Sequence, residues 1–145
     1  MGGIHSSSRC KGLRLEVGGF WLKDGLPPRS VECVVVLVYG PSESRSRKEL
    51  WEELWGVLHQ YKRPLMVMGD FNEVRRQEER SGGWMDSGSV ASFNEWIDKM
   101  GLIEFTPDNM KFSWHKAGSA SLLDRFFVTP GWMSMFPDLV CSGLA

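Results

Sequence analysis

Two short apolar runs with an amphipathic helix between them constrain this chain more than any other feature. Val31-Glu32-Cys33-Val34-Val35-Val36-Leu37-Val38-Tyr39 is β-branched and apolar on both faces, and Gly40-Pro41 ends it. Such a run suits a central strand covered on both sides. Leu65-Met66-Val67-Met68 is a second buried strand, followed at once by Gly69-Asp70-Phe71-Asn72. Between them, Leu50, Leu54, Val57, Leu58 and Tyr61 recur at helical spacing, with Trp51 and Trp55 widening the stripe and Pro64 closing the element. Ser46-Arg47-Lys48-Glu49 has the pattern of a capping box at its head.

The remaining segments extend an α/β pattern. Leu13, Leu15, Val17, Phe20 and Leu22 alternate partially, with Gly18-Gly19 interrupting them as in a bulged strand. A polar loop runs through Arg75, Arg76, Glu78, Glu79, Arg80 and Gly82-Gly83. A second helix from about Ser87 turns Val90, Phe93, Ile97 and Met100 inward, with Gly101 as its C-cap. Leu102-Ile103, Lys111 to Trp114 and Leu122 to Val128 read as further strands, and Pro130-Gly131-Trp132 opens a turn or short helix. The order implies one α/β domain with a mixed sheet, a fitting content for 145 residues.

Composition excludes several classes. No apolar stretch approaches the roughly 20 residues that span a bilayer. A net charge of −1 argues against a nucleic-acid binder that works by bulk positive charge, while local basic patches remain open. Cys10, Cys33 and Cys141 are odd in number and far apart, which suits a reducing compartment better than a disulfide or zinc framework. The Gly/Ser-rich start formally matches an N-myristoylation pattern, but that pattern is short and the start reads more simply as a frayed end.

Chemistry concentrates at Asp70-Phe71-Asn72, directly after a buried strand, where open α/β folds place their sites. In extended geometry the carboxylate and the carboxamide point to the same side. Asp70 can then accept a proton from water, while Asn72 donates to an oxygen gaining negative charge. The plainer alternative is a turn capped by Asp70, with Asn72 in the left-handed region. Tyr39 ends the other buried strand at the same edge, as a phosphate-binding phenol or simply a rim aromatic. Asp124, inside an apolar strand, reads as inward and in need of a partner. That partner is either a neighbouring cation or a histidine that Asp124 orients.

The segments Val38-Tyr39-Gly40-Pro41, Met68-Gly69-Asp70-Phe71-Asn72, Lys111-Phe112-Ser113-Trp114 and Leu123-Asp124-Arg125-Phe126 occur in the order seen in the endonuclease/exonuclease/phosphatase superfamily. Over about residues 13–137 the chain most resembles the apurinic-type endonuclease domain of plant LINE-type non-LTR retrotransposons. The resemblance implies a four-layer α/β sandwich, with mixed β-sheets flanked by helices, and magnesium-dependent phosphodiester hydrolysis on DNA. It implies that Tyr39 contacts the scissile phosphate, Asp70 positions the water and contributes to a metal site, Asn72 stabilises developing charge, and Asp124 holds a histidine. Trp114 falls in a strand near the DNA, and Arg75, Arg76 and Arg80 are the loop cations available to nucleic acid. An intracellular, nuclear setting follows from the same resemblance.

Two parts that the resemblance calls for are not found in the sequence: a metal-binding glutamate on an N-terminal strand, and a Ser-Asp-His segment after Asp124. His5, His59 and His115 do not replace the latter. The expectation is therefore a partial sandwich, without its N-terminal strands and final strand, and impaired as a magnesium-dependent enzyme. Residues 1–12 are expected to be disordered and residues 138–145 frayed. Exposed sheet edges would favour association with other chains. A non-catalytic nucleic-acid-binding remnant, or a phosphatase of the same superfamily, stands as the alternative.

Overall fold

The computed structural model describes residues 6–7, 13–22, 29–62, 64–105 and 111–135. Strands β1 (Ser6–Ser7), β2 (Leu13–Leu22) and β3 (Arg29–Tyr39) precede helix α1 (Ser44–Leu58) and strand β4 (Leu65–Asp70). A 3-10 turn, Gln77–Glu79, then leads into β5 (Arg80–Ser81) and helix α2 (Ser87–Met100). Strands β6 (Ile103–Phe105), β7 (Trp114–Lys116), β8 (Ser119–Ser121) and β9 (Asp124–Val128) follow, and α3 (Pro130–Met135) comes last. The strands form a six-stranded mixed sheet in the order β1-β2-β3-β4-β9-β6 and a three-stranded antiparallel sheet β5-β8-β7.

The two apolar runs lie side by side in the large sheet. β3 and β4 pair in parallel from Val34–Leu65 to Tyr39–Asp70, so their carboxyl ends reach the same edge. Parallel neighbours need a crossover, and α1 supplies it. One face of this sheet carries the main core. Val34, Val36, Val38, Val67 and Phe127 are buried there beneath Leu50, Trp51, Leu54 and Leu58 of α1 and Phe93, Trp96 and Ile97 of α2. Trp51 stacks on Phe93 and Trp96 at 4.9 and 5.0 Å, and Phe71 meets Phe127 edge-on at 5.2 Å. Offset and edge-on pairs of this kind add to burial.

The second face is only partly covered. Cys33, Val128 and Trp132 are buried with Val35, Met66, Phe105, Phe126 and Met133 packed against them. Leu37 and Ile103, however, remain 38% and 37% exposed. The expectation of a strand sealed on both faces therefore holds for one face of β3 and fails at Leu37 on the other.

Three local expectations are also corrected. Gly18 and Gly19 pair one-for-one with Cys33 and Glu32, so β2 has no bulge. Ser46 and Glu49 lie inside α1, which begins at Ser44 after an N-cap Glu43 that makes no side-chain cap bond; no capping box forms. Ser6–Ser7, within the segment expected to be disordered, pairs with Leu15 and Arg14 of β2, while the rest of residues 1–12 and all of 138–145 lie outside the described residues. The second helix agrees with its pattern. Asp86 accepts from the Ser89 backbone N–H at 3.1 Å, and Gly101 closes the helix in the left-handed region.

Candidate active site

Pairing across three strands assembles the site. Tyr39 of β3 is the register partner of Asp70 of β4, and Asp70 is the partner of Asp124 at the start of β9. Residues directly opposite one another project from the same face, so the phenol and the two carboxylates form one row. Their neighbours Val38 and Arg125 are buried on the opposite face. Close approach at this edge depends on glycine. Gly69 has a φ of +134°, and a Cβ there would lie 2.1 Å from the Val38 carbonyl oxygen. Gly40 donates its backbone N–H to the Asp70 carbonyl at 2.6 Å, joining the two strand ends.

Asp70 and Asn72 are adjacent, but not through extended backbone. Asn72 has a φ of +52°, and its N–H donates to Asp70 Oδ1 at 2.8 Å. This Asx-type turn was the plainer of the two sequence readings. It also leaves the Asn72 carboxamide beside the row, where Nδ2 donates to the Gly40 carbonyl at 3.4 Å. Phe71, fully buried between them, anchors the turn to the core. The Asp70 carboxyl is held above the usual carboxylate range: burial raises it, the Asn72 N–H lowers it, and the facing Asp124 raises it. A carboxyl with raised proton affinity at a sheet edge suits proton acceptance.

The Asp70–Asp124 pair predicts a specific titration. Asp124→Asn removes the facing like charge, so Asp70 is expected to titrate at lower pH than in the parent chain, as read by carboxyl carbon NMR. An unchanged Asp70 titration would contradict the pairing. In the parent the raised value means that the folded state binds this proton more tightly than the unfolded chain. Its stabilising contribution is therefore present at low pH and lost as pH rises through the folded value.

Asp124 itself is exposed, contrary to the inward position expected for it. Strand alternation turns Arg125 inward instead, with a side chain that is 0% exposed. Arg125 bonds to Glu79, to Glu104 at 2.8 Å and to the Leu122 carbonyl at 3.0 Å. Arg75 extends the network, donating to Glu104 at 3.1 Å and to Asn94 at 2.8 Å. A second buried pair, Arg47–Glu73 at 3.0 Å, ties α1 to the loop after β4, and Ser89 joins it. These groups escaped sequence reasoning, although an arginine within an apolar strand marks a buried cation that needs partners.

The other predicted residues are distributed unevenly. Trp114 is 40% exposed at the start of β7, and Ser113 Oγ accepts from the Leu123 and Asp124 backbone N–H groups at 2.9 and 3.0 Å, tying this strand to the row. Arg75 spends its guanidinium inside the protein. Arg76 is exposed but 3.4 Å from Glu79, and Arg80 donates to the Trp84 carbonyl. His59 caps α1 and stacks on Trp55, and His115 is exposed on β7; His5 lies outside the described residues.

No group of three or more His, Cys, Asp or Glu among the described residues could hold a metal. Magnesium requires a near-octahedral oxygen set, usually with one or two carboxylates. Asp70 and Asp124 supply two, but Asp70 already accepts the Asn72 N–H and is biased towards protonation. The residues present do not by themselves fit that ion.

No protein-family model matches this chain, and no curated protein is similar to it in sequence. Solved structures do share its fold. It is similar to the endonuclease domain of TRAS1, a telomere-specific non-LTR retrotransposon, with a TM-score of 0.57 and 17% identity over 83% of this chain and 49% of that one. The catalytic domain of Xenopus laevis APE2 gives 0.62 and 12%, covering 85% of this chain and 47% of that one. AP endonuclease LMAP from Leishmania major gives 0.52 and 14%, with the same coverage. The chain thus spans about half the length of the structures it matches. At these identities the likeness shows the fold alone: the α/β arrangement of these endonuclease domains, over about half of their length. No described helix is long and apolar enough to cross a membrane.

Proposed function

We propose that residues 13–137 are part of a phosphodiesterase domain of retrotransposon endonuclease type, related to plant LINE elements and acting on nuclear DNA. In this reading the chain contributes one side of the catalytic site and hydrolyses little or nothing alone. The observation that carries it is the register of Tyr39, Asp70 and Asp124 across three strands, with Asn72 beside them. Tyr39, 69% exposed, donates its hydroxyl to a phosphate oxygen. Asp70 takes the proton of the attacking water, and Asn72 Nδ2 donates to an oxygen gaining charge. Asp124 orients a cationic partner outside the described residues.

A non-catalytic nucleic-acid contact is the second reading, favoured by the exposed Trp114, which shares a sheet face with Arg80 and Lys116. The two readings share a test. Duplex DNA binding is expected to weaken with rising salt, because phosphate contacts release counterions. Arg80→Glu combined with Lys116→Glu should reduce the slope of log affinity against log salt by about 0.9 per lost contact. Asp70→Ala should leave the slope unchanged. Affinity independent of salt, or equal in the charge-reversed chain, would remove DNA as the partner.

A further inference from the structure

The small sheet carries an exposed indole, Trp114, on the same face as Arg80 and Lys116. Trp114, Ser121 and Arg80 are successive register partners across β7, β8 and β5, so their side chains share a face, with Ser121 buried between the two larger ones. Arg80 reaches on to donate to the Trp84 carbonyl. The Trp84 loop is seated against the β7–β8 turn: Gly82 has a φ of +77°, and a Cβ on it would lie 2.9 Å from the Gly118 carbonyl oxygen. Trp84 is nevertheless 78% exposed. The loop that carries this indole is fixed by a guanidinium and a tight glycine contact, and most of the side chain is open to solvent. Lys116, two residues after Trp114 on β7, projects from the same face, and residues 111–121 contain no carboxylate.

We propose that Trp84 and Trp114, together with Arg80, form a stacking platform for unpaired bases of a single-stranded nucleic acid. The inference rests on the nucleic-acid reading and adds to it a residue and a substrate form. Aromatic faces bind any base by stacking, and surrounding cations follow the phosphate chain. A closed duplex offers its bases only at their edges, so the Trp84 face would gain little from it. The link from Trp114 through Ser113 to the Asp124 backbone places this platform alongside the catalytic row.

The test measures fluorescence anisotropy of a dye-labelled mixed-sequence oligonucleotide, single-stranded or annealed to its complement, with the full 145-residue chain. Trp84→Ala is expected to weaken single-strand binding about tenfold and to leave duplex binding within about twofold; Trp84→Phe should restore most of the loss. Single-strand binding unaffected by Trp84→Ala would overturn the platform while sparing the nucleic-acid reading. Equal losses on both forms would overturn it too, since Trp84 would not distinguish unpaired bases. A parent chain that binds neither form at low salt would overturn the nucleic-acid reading itself.

Discussion

Arg125→Ala is expected to destabilise the fold by about 3–5 kcal/mol, the range for removing one partner of a buried ionic network. That is a large part of the roughly 5–15 kcal/mol by which a domain is stable. The arginine side chain is fully buried, and the carboxylates of Glu79 and Glu104 are each 9% exposed. Alanine would leave both carboxylates out of water with fewer donors. Arg75 would still reach Glu104 at 3.1 Å, and the Arg75 N–H would still reach Glu79 at 2.7 Å, which keeps the loss below that of a naked charge. The aromatic contact of the guanidinium with Phe93, at 5.6 Å, would go as well. Asp124→Ala, one residue away but exposed, should stay within about 0.5 kcal/mol. Urea denaturation of the two variants distinguishes them, and equal stabilities would contradict the inward placement of Arg125.

The same network sets an acid limit. Burial pushes the Glu79 carboxyl up, but hydrogen bonds and charge from Arg125, with the Arg75 N–H, outweigh it and hold Glu79 below the usual carboxylate range. A lowered value in the folded state stabilises the fold above the unfolded value of about 4.3, and this contribution is lost as pH falls through the folded value. The Arg125 variant should show less of this loss than the parent between about pH 5 and the acid limit.

The contrast between Asp124 and Arg125 shows where sequence is informative and where it fails. The parallel placement of β3 and β4 followed from two apolar runs and the helix between them, and with it the shared edge of Tyr39 and Asp70. Helix α2 was legible because its stripe, cap and terminal glycine all agree. The facing of β9 was not, since Leu122 to Val128 contains two adjacent charged residues and either parity leaves one inside. Phe127 settles it by packing under the helices, which carries Arg125 to the same side. Glu73 and Glu79 were equally hidden: in a polar loop they read as solvated, and only folding brings Arg47 and Arg125 to them, respectively 26 and 46 residues away in sequence. Asn72 differs from these: both of its readings place it near Asp70, and the backbone takes the plainer one, a left-handed turn, rather than the extended one.

The second large effect concerns catalysis. Among the described residues, Asp124 is the carboxylate that acts on Asp70, and the chain contains no Ser-Asp-His segment. One missing transition-state donor costs on the order of 10²–10³ in rate, and groups that act as a unit fail together. Tyr39 and Asp70 in register, with Asn72 beside them, are thus expected to be insufficient. Supercoiled plasmid with magnesium measures this directly, comparing the 145-residue chain with its Asp70→Ala variant. The expected result is plasmid left intact by both, at matched concentrations and times. Magnesium-dependent nicking by the parent chain that disappears in Asp70→Ala would contradict the account, because the residues present would then form a working site.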